Sequence, residues 1–413
     1  MNICAIIRRD IYYRGEHMSK DKSKKKKYKL QVMDIITIVF TAIILGIMGF
    51  VLYEHISGDG SDKDAASATQ TAVATAAPTK EPTLSDIGNV YGNITNDANV
   101  VCIDGREYFI SVDDNGDKHI YVTVGDVTTD LIKAEASSLN VITDYITYND
   151  QIDVDGYYIF YINGKGQICY LLDGPVGDGL VQNAPLTEVV FLDGSYLSVD
   201  VSGEYVYHLS ADGNIGKTSI LEKTSYTLSK ERAYKSFVLY FGDIYAQGKE
   251  NNCIYKMPSV SDEEAAKEES SKASATPAKS TADKEDSGEV LLISEPVTDY
   301  VLDSDWIYTI SDRGIVRYVI NGLNNKDTLS STIKADCINA YNDAIFYVAN
   351  NHLYTCTAKL FLLDSVLDIG EVTSTAGINI SENAIYLVNE NGKLCKSKYD
   401  STAKAYTEFK EMN

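Results

Sequence analysis

Three histidines, His119, His208 and His352, and one acidic run, Asp113-Asp114-Asn115-Gly116-Asp117, are the residues beyond position 88 whose types could do metal or acid–base chemistry. The histidines lie 89 and 144 residues apart, each inside a run that reads as a strand. That spacing makes neither a facial metal triad nor an acid/base pair. The acidic run offers the hard oxygen ligands calcium takes, yet it lacks the distal Glu and the spacing of an EF-hand loop, so it reads as a solvated hairpin turn. No GxSxG, HExxH or Walker-type spacing occurs. We therefore expect no enzyme, no catalytic residue, no metal and no cofactor. Among seven cysteines, Cys4 stands apart and six scatter from Cys102 to Cys395 without a CxxC or a Cys/His metal spacing.

Charge divides the chain of 413 residues in two. Residues 1–34 hold ten Lys/Arg against four Asp/Glu, which leaves 27 basic and 55 acidic residues beyond, a formal −28. Such an acidic body argues against a nucleic-acid partner, which would demand cations for its phosphates. Between the compartments runs IITIVFTAIILGIMGFVLY, Ile35–Tyr53, nineteen residues without a charge. At about 1.5 Å per residue it spans the roughly 30 Å hydrocarbon core of a bilayer. Lys24-Lys25-Lys26-Lys27-Tyr28-Lys29 precedes it, and Glu54-His55-Ile56-Ser57-Gly58-Asp59 follows it. The positive-inside rule then places residues 1–34 in the cytoplasm and the rest outside a cell membrane crossed once. The run is longer than a signal-peptide core and leads into no small-x-small cleavage site, so it reads as an uncleaved anchor. The lysine cluster serves as a topology signal or an anionic-lipid patch. Met18 is a second candidate start, since residues 1–17 match no targeting pattern.

Residues 54–87 are rich in Ala, Thr and Ser and lack apolar periodicity, the composition of a disordered tether reaching roughly 30 Å. Residues 259–289 repeat that vocabulary and read as a solvated insert outside any core.

The remainder, 88–413, is repetitive. Runs of Tyr, Ile, Val and Phe broken by Gly/Asn/Asp turns recur as EYFISVDDNGDKHIYV, YIFYINGKGQICYL, YLSVDVSGEYVYHL, VLYFGDIYAQGKENNCIYKM, WIYTISDRGIVRYVI, AIFYVANNHLYTC and AIYLVNENGKLCKS. Their anchors are Tyr108, Ile159, Leu197, Leu239, Ile307, Ile345 and Ile385, at intervals of 51, 38, 42, 68, 38 and 40. Removing the 31-residue insert brings the 68 to 37. Asp173-Gly174, Asp212-Gly213 and Asn321-Gly322 follow their anchors in step, with the chemistry of tight turns. Seven in-phase copies at a period near 40 predict an all-β, seven-bladed β-propeller carried on a single N-terminal transmembrane helix. The long first interval places a long loop or an extended outer strand around Tyr145–Val154. Closure has two solutions: residues 403–410 complete the last blade, or residues 88–94 lend it a strand. Cysteines at equivalent places in separate blades are too far apart to bridge, so free buried thiols are expected, with Cys337 and Cys356 the pair to watch.

The block GNVYGNITNDANVVCIDGREYFISVDDNGDKHIYV, with copies such as DSDWIYTISDRGIVRYVINGLN, resembles the LDL-receptor-related-protein-like β-propeller domains of uncharacterised Gram-positive surface proteins. The resemblance spans about residues 88–413 without the insert and rests on structural motifs, so it implies fold. Trp306 alone retains the Trp that precedes Ile-Tyr in that family, and YLSVDVSG departs from the pattern.

A propeller without catalytic motifs implies a binding or scaffolding module, engaging through turns on one rim, for a protein or a cell-envelope polymer. The candidate rim is Asp113, Asp114, Asp117, Asn163, Lys165, Asp312, Arg313, Asn350, Asn351, Asn389 and Asn391. The alternative is a carbohydrate- or peptidoglycan-binding lectin or enzyme using some of the 30 tyrosines as stacking platforms, although most stand at strand positions that pack between blades. The ectodomain is expected to be a monomer.

Overall fold

The computed structural model describes residues 88–148, 152–174, 186–260, 288–320, 326–373 and 377–412. They form seven antiparallel sheets, each built from consecutive strands. The first, innermost strands are Val100–Ile103, Ser137–Tyr148, Tyr196–Ser202, Tyr234–Tyr240, Asp299–Asp303, Cys337–Tyr341 and Asn379–Ser381, and they head blades 1 to 7. Seven apolar clusters fill the seven gaps between neighbouring blades, so the ring is closed and the all-β seven-bladed propeller holds. Tyr108, Tyr157, Tyr161, Tyr234, Tyr300, Tyr308, Tyr347 and Tyr386 are fully buried in those gaps, as their strand positions predict. No helix among the described residues is long and apolar enough to cross a membrane, and Ile35–Tyr53 lies outside them.

Two local rules repeat from blade to blade. A Tyr on the second strand faces a basic residue on the third: Tyr207 opposite Lys217, Tyr245 opposite Lys256, Tyr308 opposite Arg317 and Tyr386 opposite Lys396. Side chains directly opposite on one sheet face are close enough to stack, and Lys256 and Lys396 lie 5.6 and 5.4 Å from the ring centres of Tyr245 and Tyr386. The second rule governs the turns between second and third strands. Asp113, Asn163 and Asn389 each accept the backbone N–H groups two and four residues on, and Gly116, Gly166 and Gly392 follow at φ of 83°, 80° and 79°. Only glycine adopts that conformation without cost.

The channel is not open. Residues 88–99 enter it as a strap that makes one helical turn, Tyr91–Ile94. Asn93 donates to the Ile380 carbonyl at 2.9 Å and accepts from Ile380 N–H at 2.8 Å, while Asn96 donates to the Ile338 carbonyl at 2.9 Å and accepts from Ile378 N–H at 3.0 Å. Asn89 donates to the Leu139 carbonyl on the opposite side. Gly92 fits because a Cβ there would overlap Asn339 Oδ1.

Around the strap runs a belt of amides and carboxylates that ties inner strands together at five of the seven blade junctions. Asn140 donates to the Val199 carbonyl, Leu239 N–H donates to Asp200, Ile338 N–H donates to Asp299, Asn339 donates to the Ile378 carbonyl, and the N–H groups of Asn99 and Val100 donate to Asn379. Inner-strand backbone groups facing the channel have no sheet partner, and a buried one left unpaired costs about 1–3 kcal/mol. The belt supplies the partners.

Several expectations shift in detail. Leu197 and Leu239 fall on the inner strands of blades 3 and 4, whereas the other five anchors fall on second strands. The repeat is therefore one strand out of phase there, because the hairpin between strands one and two carries the same Gly-and-aromatic signature as the next. Asp212-Gly213 accordingly sits between strands two and three, while Asp173-Gly174 follows a third strand; Asn321-Gly322 lies outside the described residues. The extra residues of blade 2 extend the inner hairpin, with Tyr148 paired to Ile152, rather than an outer strand. Closure uses the C-terminal segment: Ala405–Tyr406 and Lys410–Glu411 both pair with Leu394–Asp400, and residues 88–94 become the strap instead. The six described cysteines are free thiols, four buried and Cys102 and Cys395 half-buried; Cys337 and Cys356 are not bridged. Residues 261–287 of the insert lie outside the described residues, but its last residue belongs to the fold. Glu289 accepts from Arg232 Nε at 3.0 Å, Tyr234 OH at 2.9 Å and Lys230 N–H at 2.9 Å.

Burial pushes the carboxyls of Asp200 and Asp299 up to about 7 despite their backbone donors. A carboxyl raised in the folded state binds more protons there than in the unfolded chain, so its contribution is full below the ordinary carboxylate range and is lost as pH rises toward 7. Urea unfolding of the full chain should show wild type losing stability between pH 5 and pH 8. Asp200→Asn should be the less stable variant at pH 5 and should close part of that gap by pH 8; an equal gap at both values would mean Asp200 is ionised throughout.

Candidate functional site

The candidate rim residues occupy turns between second and third strands, which all lie at one end of the ring. We term this the far face, because Gly88, where the strap begins, lies at the other end beside the turns joining strands one to two and three to four. Far-face turns bring Asp113, Asp114 and Asp117 (blade 1), Asn163 and Lys165 (blade 2), Asp312 and Arg313 (blade 5), Asn350 and Asn351 (blade 6) and Asn389 and Asn391 (blade 7) to one rim. They do not share one role. Asp113, Asn163 and Asn389 are engaged by their own turns, and the N–H groups they accept hold the Asp113 carboxyl below its ordinary range. Asn350 and Asn351 adopt φ of 53° and 63°, the left-handed region that Asn tolerates in a two-residue hairpin. Asp117 pairs with Lys133, Asp114 with Lys393 at 2.7 Å, and Arg313 with Glu295 at 2.6 Å. Asp114, Lys165, Asp312, Arg313 and Asn391 are the exposed tips these turns display.

The histidines stay apart, in blades 1, 3 and 6. His119 and His352 each face an outer-strand carboxylate, Asp130 at 2.8 Å and Asp368 at 3.0 Å. His208 is half-buried with Nε2 3.2 Å from Thr218 Oγ1, and desolvation pushes it down to about 4, so it is neutral. Among the described residues no three His, Cys, Asp or Glu side chains gather as a metal ion would require.

Sequence reasoning missed a cleft of about 660 Å³ on the strap face, at the seam between blades 7 and 1. Among the described residues this seam has the smallest apolar cluster, five buried residues against fifteen between blades 1 and 2. Polar contacts take its place. Glu107 of blade 1 accepts Lys396 Nζ of blade 7 at 2.5 and 2.6 Å and also the hydroxyl of Tyr386. Tyr386 OH lies 3.1 Å from Ser381 Oγ and 3.6 Å from Cys102 Sγ. Burial raises the Tyr386 hydroxyl, and burial with Glu107 beside it pushes the Cys102 thiol up to about 11. Both are therefore protonated at neutral pH and act as donors to Glu107, not as nucleophiles. Arg106, Glu382, Lys398 and the exposed Tyr399 line the mouth. A cleft of this size with convergent charges of both signs suits a small polar ligand. Glu107 and Lys396 stand 289 positions apart, so only the ring brings them together.

No protein-family model matches this chain. No curated protein matches it either. Solved structures do resemble it: the computationally designed Ika8 protein, at 10% identity and a TM-score of 0.42 over 78% of this chain and 89% of that one; Hsv2 of Kluyveromyces lactis, at 12% and 0.43 over 75% and 94%; and PorZ, a surface component of the type-IX secretion system of Porphyromonas gingivalis, at 12% and 0.35 over 58% and 31%.

Removing one member of a buried ion pair strands the other. Lys396→Met should destabilise the chain by about 3–5 kcal/mol in urea unfolding, and adding Glu107→Gln should restore part of the loss. Additive losses in the double variant would show that the two side chains do not interact.

Proposed function

We propose that this chain is a single-pass membrane protein, its N-terminal 34 residues cytoplasmic and its propeller extracytoplasmic, that works by binding rather than catalysis. Its partner is a protein or a cell-envelope polymer, met through the far-face turns. The observation that carries this reading is the construction of that face. Asp113, Asn163 and Asn389 fix their turns from within, so Lys165 and Asn391 are held out at the tips without being needed for the fold. Rigid, outward-pointing polar tips lose little entropy when they engage a partner. The apolar run Ile35–Tyr53 and its basic flank support the topology, and the resemblance to LDL-receptor-related-protein-like propellers agrees with a binding role. A second reading rests on the seam cleft, where Tyr399, Lys398 and Glu382 could hold a saccharide or peptidoglycan fragment.

One comparison separates the two. Full-length chain solubilised in detergent is used to capture cell-envelope components, beside a variant carrying Lys165→Glu, Asp312→Lys and Arg313→Glu and another carrying Tyr399→Ala and Lys398→Ala. Loss of at least ten-fold in capture by the first variant alone supports the far face. Loss by the second alone transfers the site to the cleft, and wild-type capture no better than a chain ending at residue 87 removes the binding reading.

A further inference from the structure

The two faces differ in their apolar exposure. Among the described residues, the exposed large apolar side chains near the far-face ends of the sheets are scattered singly: Leu197 on the inner strand of blade 3, and Val190 and Leu291 on the outer strands of blades 2 and 4. The strap face instead presents Val127 of blade 1, Leu221 of blade 3 and, in blade 6, Leu360, Leu362, Leu363 and Leu367. Leu360, Leu362 and Leu363 sit in the connection between His352–Thr357 and Leu367–Glu371, which is folded into two short 3-10 turns, Ala358–Leu360 and Leu363–Ser365, and Leu367 opens the strand that follows. Phe361 is buried beneath them, 5.9 Å from the ring of Tyr308, with the Arg317 guanidinium 4.7 Å above its own ring. Arg317 also donates to the Ala358 carbonyl, and Ser365 Oγ donates to the Leu362 carbonyl at 2.7 Å. The leucines are therefore pointed outward by a fixed loop. A contiguous apolar patch held into solvent in this way marks a contact surface.

We propose that the strap face rests on the lipid bilayer, with the leucine loop of blade 6 dipping into its interface. This rests on the anchored reading given above. The chain itself supplies the argument for lipid as the occupant. Gly88 lies on the strap face, and the apolar run ends at Tyr53, so 34 residues separate them, and their Ala/Thr/Ser-rich composition gives an expected reach of roughly 30 Å. An anchor so close holds this face near the membrane at high effective concentration, and weak apolar insertion then suffices. The acidic body is repelled by anionic headgroups, so the contact depends on leucine burial and not on charge. With the strap face down, the far-face turns point away from the membrane toward envelope partners.

The test uses the full chain reconstituted in phosphatidylcholine vesicles with or without brominated acyl chains. Trp306, the one tryptophan, is replaced by Trp306→Phe, and a reporter is placed by Leu362→Trp or, on the far face, by Leu197→Trp. We expect brominated lipid to quench the Leu362→Trp emission at least two-fold and to leave Leu197→Trp unchanged. A chain that floats with the vesicles after an alkaline wash but shows no quenching at Leu362→Trp overturns the bilayer contact and leaves the anchor standing. Quenching of both reporters equally overturns the orientation. A chain that does not float overturns the anchored reading and this inference with it.

Discussion

The fold depends on satisfying the inner-strand backbone. Seven twisted sheets arranged around an axis leave a row of N–H and C=O groups facing inward, and a bilayer-free channel filled with water would have to solvate every one. Here the strap and the belt do it with side chains. Where a neighbour offers both a carbonyl and an N–H, the residue is Asn, as at Asn93 and Asn96; where it offers only N–H groups, the residue is Asp, as at Asp200 and Asp299. The choice follows from the donor and acceptor inventory of the two side chains. It also explains why two carboxyls are kept in the interior: each accepts two backbone N–H groups that no apolar residue could satisfy.

The seam between blades 7 and 1 follows from the same geometry. Many rings are locked by a blade built from both ends of the chain, but blade 7 here takes all its strands from the C-terminal end. Closure therefore rests on side chains and on the strap. Leu394 N–H donates to Ser111 Oγ at 3.0 Å, Lys393 reaches Asp114, and the Glu107 cluster sits on the strap-face side. The repeat already supplied a cation at that place in four blades. In blade 7 the cation finds its carboxylate across the blade boundary, at Glu107, whereas Asp243 and Asp327 provide it within blades 4 and 5. The cleft exists because charged side chains at this seam pack less completely than the aliphatic clusters elsewhere.

The blade count and strand content were legible because both arise from local rules: short runs of Tyr, Ile and Val, and turns with Gly at a fixed offset. Phase was harder. In LSVDVSGEYVYHL the buried Asp200 is the mark of an inner strand, yet a lone Asp between valines reads locally as any solvated strand residue. The strap carried a signal that went unused: Asn89, Asn93 and Asn96 are spaced four and three apart, which places three amides on one helical face. The rim turns share one end of the ring, but their differing roles are hidden in the sequence, since the turn-forming Asp113, Asn163 and Asn389 look the same there as the displayed tips. The Glu107 cluster could not be read at all, because partners 279 and 289 positions apart meet only through the closed ring.

The asymmetry between the faces has a topological cause. In a four-stranded blade, the far face receives only the tight second turn and the link to the next blade, and both are constrained by neighbours. The strap face receives the third-to-fourth connection, which lies at the periphery and tolerates change in length and composition. The insert after Pro258, the extension of the blade 2 hairpin and the leucine loop of blade 6 all occur on that side. A loop free to vary would ordinarily settle on polar residues, because exposed leucine is unfavourable in water. In blade 6 the opposite has occurred within a well-braced turn, with Phe361 and Arg317 committed to holding it. Bracing of that kind keeps the leucines from folding back onto the propeller and leaves them open to another apolar surface.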